Sequence, residues 1–317
     1  MTGVQTCALP IYIQDALDEI EYATGDGATK WGAERAKNGH PAAFPLHYVE
    51  IGNEDWFDKS GSYDGRYAQY YKAIKARYPE LQLIATAPIK SIKPDVLDEH
   101  FYMSAEKSLS DANHYDKADR SGPKIFVGEW ATREGEPTPN LQAALGDAAW
   151  MTGMERNSDL IIMASYAPLF VNVNPGGMQW ETDLIGYDAL TSYGSPSYWA
   201  QVLFGKYLGT EVVAATLSNA GPRVYTSVTR DEKRRKLFVK LVNAASDAAP
   251  LNITLEGAAG VGHQATLVTL SGKSPNATNT INRPDAVIPV EQKISIAGAK
   301  FEHRFAPYSI NVLELTY

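Results

Sequence analysis

The chain has 317 residues, 44% hydrophobic and 21% charged, which is ordinary for a globular protein and long enough for two domains with a large core. A formal charge of −8 argues against nucleic acid or an anionic membrane as a partner, and no apolar run reaches the length of a membrane span. The single cysteine, Cys7, excludes an intrachain disulfide.

Residues 1–12 read as foreign to the rest of the chain and lack the layout of a signal peptide. They point to a non-native leader, with the native amino terminus missing. The compartment therefore stays open, an extracellular or periplasmic address being compatible. From Ile13 to Lys37 the pattern predicts helix, interrupted at Gly25 and Gly27, and Pro41–Pro45 predicts a turn. The next element is a strand at His47–Ile51. Tyr63, Tyr67, Tyr70, Tyr71, Ile74 and Tyr78 recur at helical spacing and read as a core stripe, with Pro79 ending that helix. Strands are expected at Leu81–Ala85 and Val96–Tyr102, the second with Asp98, His100 and Tyr102 on one face.

A polar helix at Ala105–Asn113 leads to a strand at Lys124–Trp130, and a long helix spans about Asn140–Asn157. Leu160–Tyr166 is apolar enough to predict a strand buried on both faces. A loop rich in Gly, Pro and Asn runs to about Asp183, and a helix at Pro196–Leu208 closes the segment. Five strands alternating with helices indicate a parallel α/β domain. After Gly209 the pattern changes to alternating strands at Arg223–Thr229, Lys236–Asn243, Leu251–Leu255, Ala265–Leu270 and Ser309–Leu315. Residues 209–317 thus read as an antiparallel β-sandwich, and residues 13–208 as the α/β domain.

Two of the strand-like runs close on glutamates flanked by glycine, His47–Glu54 and Lys124–Trp130 with Glu129. Paired carboxylates on strand ends are what glycosidic bond hydrolysis requires, one to protonate the leaving oxygen and one to attack or stabilise the anomeric carbon. No His/Cys/Asp cluster has metal-ligand spacing, so neither metal nor cofactor is expected. Glu50 shares a face with Glu54 but lies about 13 Å deeper at the rise of a strand, which predicts a buried structural carboxylate.

The motifs Tyr48–Glu54, Asp98–Tyr102, Val127–Ala131, Glu155–Asp159, Ala164–Phe170, Trp180–Ile185 and Tyr193–Tyr198, in this order, resemble the carboxyl-terminal two-thirds of a family 51 glycoside hydrolase, an α-L-arabinofuranosidase. The resemblance implies a partial (β/α)₈ TIM barrel, strands four to eight, followed by the sandwich. It implies a retaining exo-acting hydrolase that releases terminal α-L-arabinofuranosyl groups from arabinoxylan- or arabinan-type saccharides, with Glu54 as acid/base and Glu129 as nucleophile. Alternatives are β-xylosidase or endoglucanase action on the same scaffold, or an inactive carbohydrate-binding fragment. Asn53 is expected at the sugar 2-hydroxyl or as a strand-end cap. Tyr102 is expected to donate to Glu129, or else to be a core tyrosine. His100 is expected at the substrate, at Tyr102 or in the core, and Trp180 as a wall of the sugar pocket or as loop packing. Without strands one to three, exposed strand edges predict aggregation of the chain alone. The sequence leaves the oligomeric state open.

Overall fold

The computed structural model describes residues 5–258 and 260–317, with side chains described from residue 11 onward, so Cys7 and the first residues of the predicted leader lie outside the described side chains. The chain forms two compact units, Met1–Glu99 with Asp119–Phe126, and His100–Ala118 with Val127–Tyr317.

In the first unit, α1 (Gln5–Thr24) stops just before the glycines expected to break it, and α2 (Lys30–Lys37) restarts behind Thr29, whose hydroxyl accepts from the Gly32 amide. The corner is closed by Arg35, which is fully buried and donates to the carbonyls of Tyr22, Ala23, Gly25, His40 and Pro41. Five carbonyls around one guanidinium offset the cost of burying its charge. Next come β1 (Tyr48–Ile51), a 3₁₀ turn (Asp55–Phe57), α3 (Tyr63–Arg77) and β2 (Gln82–Ala85). β1 pairs in parallel with β2, and β2 in parallel with β3 (Val96–Met103).

Alternation along β1 turns Val49 and Ile51 toward Ile20, Ile74, Leu81 and Leu83, while Tyr48 and Glu50 are exposed. Glu50 is therefore not the buried carboxylate the sequence suggested. β1 is the edge strand of its sheet, and its residues Tyr48 to Ile51 line an open apolar cleft of about 980 Å³ with residues of α1 and α3. The tyrosine stripe of α3 is core at Tyr63 and Tyr67, which pack on Ala85 and Ala87.

The chain continues through α4 (Ala105–Ser110), β4 (Lys124–Thr132), α5 (Leu141–Arg156) and β5 (Ile161–Tyr166), and the sheet order is β1-β2-β3-β4-β5. α5, in the second unit, is buried along nearly all its length, between α4, α6 (Pro196–Lys206) and the strands of the carboxyl-terminal half. Asn140 caps it by accepting from the Ala143 amide. β5 corrects a second expectation: Ala164 and Ser165 are exposed, because an edge strand has a neighbour on one side only. The Gly/Pro-rich stretch expected as loop contains β6 (Phe170–Asn172), which pairs with β7 (Ile185–Tyr187) just past that stretch, and β7 pairs in turn with β8 (Ser192–Gly194).

The rest of the second unit is built from β9 (Glu211–Val212), β10 (Val224–Asp231), β11 (Lys236–Asn243), β12 (Ala249–Thr254), β13 (Gln264–Ser271), β14 (Val290–Ser295), β15 (Lys300–Phe305) and β16 (Ser309–Thr316). One sheet has the order β14-β13-β16-β11-β10-β9 and the other pairs β12 with β15, all antiparallel. Leu241, Leu267, Leu313 and Leu315 from the larger sheet meet Leu251 and Phe305 from the smaller, which is sandwich packing. β9, β14 and β15 were not anticipated from the sequence. The larger sheet is tied to α5 by a buried ion pair, Lys240 with Glu155, whose second oxygen accepts from Ser227.

Candidate active site

Glu54 stands three residues beyond β1, at the start of the 3₁₀ turn, in the left-handed region with φ 53°. A non-glycine residue held there costs on the order of 1–3 kcal/mol, so the surroundings must impose the conformation. The surroundings are visible. Asp55 Oδ2 accepts from the Asn53 amide at 3.1 Å and from Thr86 Oγ1 at 2.8 Å, and Oδ1 accepts from Arg66 at 3.2 Å. Tyr63 donates to the Ile51 carbonyl at 2.6 Å and accepts from the Thr86 amide at 2.8 Å, tying the end of β1 to the residue after β2. Gly52, at φ 111°, is required: a Cβ there would stand 2.0 Å from Asp55 Oδ2. Asn53 is exposed, and its backbone amide is held by the Asp55 side chain. Sequence reasoning missed Asp55.

In the second unit, two of the residues expected on one face of β3, His100 and Tyr102, meet Glu129 on β4. Tyr102 donates its phenolic hydrogen to Glu129 Oε2 at 2.6 Å. His100 Nδ1 lies 3.6 Å from the same oxygen. The three side chains differ in exposure: His100 is 4% exposed, Glu129 35% and Tyr102 39%. One oxygen of the carboxylate is thus held by a short hydrogen bond from a half-open phenol, beside an imidazole sealed from solvent.

Behind β4, Asp147 Oδ1 accepts from the Thr132 amide at 2.8 Å, and Trp130 meets Tyr166 edge to face at 5.2 Å. Asp147 is fully buried, and burial pushes its carboxyl up to about 6 against the opposing influence of Ser197, Thr132 and Tyr166. Asp183, also buried, is likewise pushed up to about 6 by burial and held back by the positive charge of Arg133. Trp180 belongs to the segment leading to Asp183 and is 60% exposed. Arg133, Glu134, Glu136 and Glu181 line a polar cleft of about 460 Å³ in this unit.

Comparison with known proteins agrees with this local chemistry. A family model described as "Alpha-L-arabinofuranosidase 1 domain" matches residues 2–120, and one described as "Alpha-L-arabinofuranosidase C-terminal domain" matches residues 114–309. Alpha-L-arabinofuranosidase 2 of Arabidopsis thaliana is 35% identical over 301 residues, covering 92% of this chain and 44% of that protein. Alpha-L-arabinofuranosidase A of Aspergillus niger is 33% identical over 316 residues, covering 96% and 48%. The chain spans about half the length of the curated relatives it matches. A solved structure of arabinose-bound MgGH51 α-L-arabinofuranosidase is 36% identical with a TM-score of 0.91, covering 97% of this chain and 51% of that one. An α-L-arabinofuranosidase from Thermotoga maritima, 22% identical with a TM-score of 0.82 over 96% of this chain and 73% of its own, shares the fold. The chain belongs to the family 51 α-L-arabinofuranosidases.

Proposed function

We propose that this chain carries the catalytic carboxylates of a retaining, exo-acting α-L-arabinofuranosidase that removes terminal arabinofuranosyl groups from arabinoxylan- and arabinan-type saccharides. Glu129 attacks the anomeric carbon and forms a glycosyl-enzyme ester while Glu54 protonates the departing oxygen. Glu54 then takes a proton from the water that cleaves the ester and releases arabinose. Asn53 and His100 serve as sugar contacts, Tyr102 holds the nucleophile, and Trp180 walls the pocket. In this reading β1 to β5 stand for strands four to eight of a (β/α)₈ barrel, and residues 209–317 form the accompanying sandwich domain.

The observation that carries the reading is the hydrogen bond from Tyr102 to Glu129 Oε2. A phenol donating to one carboxylate oxygen fixes the orientation of the other, which a nucleophile needs for attack. Family membership and the turn built around Glu54 support it. The test is product analysis by proton NMR on an aryl α-L-arabinofuranoside and on arabinoxylan. Free arabinose as the only sugar released, with the α anomer formed first, is the expected result. Xylose, internal chain cleavage or the β anomer first would overturn the reading.

A further inference from the structure

Arg133 lies four residues after Glu129, so in extended chain both side chains belong to the same face. The Arg133 amide donates to the Met103 carbonyl at 2.8 Å, which continues the pairing one residue past the end of β4 and sets Arg133 beside Tyr102. Its guanidinium carbon lies 5.6 Å from the centroid of the Tyr102 ring, within the reach of about 6 Å at which a cation is drawn to an aromatic face. The contacts form a series: Arg133 on the ring of Tyr102, and Tyr102 and His100 on Glu129 Oε2. The positive charge of Arg133 also acts on the buried carboxyl of Asp183, whose Oδ1 has no hydrogen-bond partner among the described residues.

We propose that Arg133 is a positioning residue for the nucleophile: its guanidinium fixes the ring of Tyr102 and polarises the phenol whose hydrogen holds Glu129 Oε2. This rests on the assignment of Glu129 as nucleophile. Arg133 touches no reacting atom, so its influence passes through Tyr102. Removing it leaves the phenol free to rotate on the solvent side, and the carboxylate spends less time aligned for attack. The ring contact alone is worth a change of about two- to fivefold in rate.

The test is the rate at which an arabinofuranose-configured cyclic aziridine, which alkylates an enzymic carboxylate nucleophile, labels the chain. Intact mass gives the rate, and peptide digestion gives the labelled residue. The expectation is labelling of Glu129 in the parent chain, about fivefold slower labelling in Arg133→Met, and recovery of at least half the rate in Arg133→Lys. In a Tyr102→Phe background, Arg133→Met is expected to change nothing further, because the relay is already cut. An unchanged rate in Arg133→Met, or a full additional loss in the Tyr102→Phe background, would overturn the proposal while leaving Glu129 as nucleophile. Parent chain not labelled at Glu129 would overturn the nucleophile assignment and this inference with it.

Discussion

Tyr102 and Glu129 come from different strands, and the 2.6 Å hydrogen bond between them fixes the orientation of the Glu129 carboxylate. Replacing Tyr102 with Phe keeps the ring and removes only the donor. We expect kcat on an aryl arabinofuranoside to fall about 10- to 100-fold with KM changed little, as for loss of one charge-directed donor. Steady-state kinetics of Tyr102→Phe measures this. A rise in KM with kcat preserved would instead place Tyr102 in substrate binding.

The assignment of Glu54 as acid has a kinetic signature in the leaving group. In Glu54→Ala, natural glycosides lose their proton donor, whereas aryl glycosides with acidic phenols depart without help. Activity on arabinoxylan should drop by about three orders of magnitude and activity on a dinitrophenyl glycoside by far less. A comparison of kcat/KM on the two substrates decides it, equal losses counting against the assignment.

The left-handed turn at Glu54 depends on Gly52 and Asp55. Gly52→Ala brings a methyl group onto Asp55 Oδ2 at a backbone angle that disfavours any side chain, so a stability loss of about 1–3 kcal/mol is expected in urea. Asp55→Ala should cost activity as well, since the Asn53 amide and Thr86 hydroxyl lose their shared acceptor.

Lys240 and Glu155 test the link between α5 and the sandwich sheet. Lys240 is fully buried, and burial lowers its affinity for a proton while Glu155 raises it. Lys240→Met strands a buried carboxylate and should cost about 3–5 kcal/mol by denaturant unfolding. Adding Glu155→Leu should restore most of the loss, because an apolar pair replaces the stranded charge.

Asp147 sets a pH dependence of stability. Its carboxyl is pushed up from the ordinary 3.8 to about 6 in the folded chain, so the folded state binds more protons than the unfolded one across that interval. The stabilisation is complete below pH 3.8 and is lost as pH rises through about 6. Asp147→Asn removes the titration while keeping an acceptor for the Thr132 amide. The change in unfolding free energy between pH 4 and pH 7 should shrink in the variant by about 2–3 kcal/mol. Asp183 pulls in the same direction and leaves a residual slope in both proteins.

Much of the site was legible because strands write their faces into the sequence. His100 and Tyr102 were grouped by a period of two, and the structure sets both against Glu129. The helix interruption near Gly25 and the division between α/β and all-β stretches were equally local signals. What escaped depended on neighbours far along the chain. Glu50 and the middle of β5 were assigned to the interior from their strands alone, but both strands lie at sheet edges, which local pattern cannot reveal. The small sheet of β6 to β8 escaped because its strands are three residues long, too short for a period of two to show. Arg133 reads as an ordinary surface charge in sequence, and only the fold sets it over the Tyr102 ring.

The roles of the two carboxylates are separated most directly by azide rescue of Glu129→Ala and Glu54→Ala on an activated aryl arabinofuranoside, with the anomer of the arabinosyl azide assigned by NMR. Azide entering the space left by a missing nucleophile attacks the substrate once and inverts, so Glu129→Ala should yield the β-azide. Azide entering in place of the missing acid/base attacks the ester on Glu129, so Glu54→Ala should yield the α-azide. The opposite anomers, or no rescue in either variant, would contradict the account.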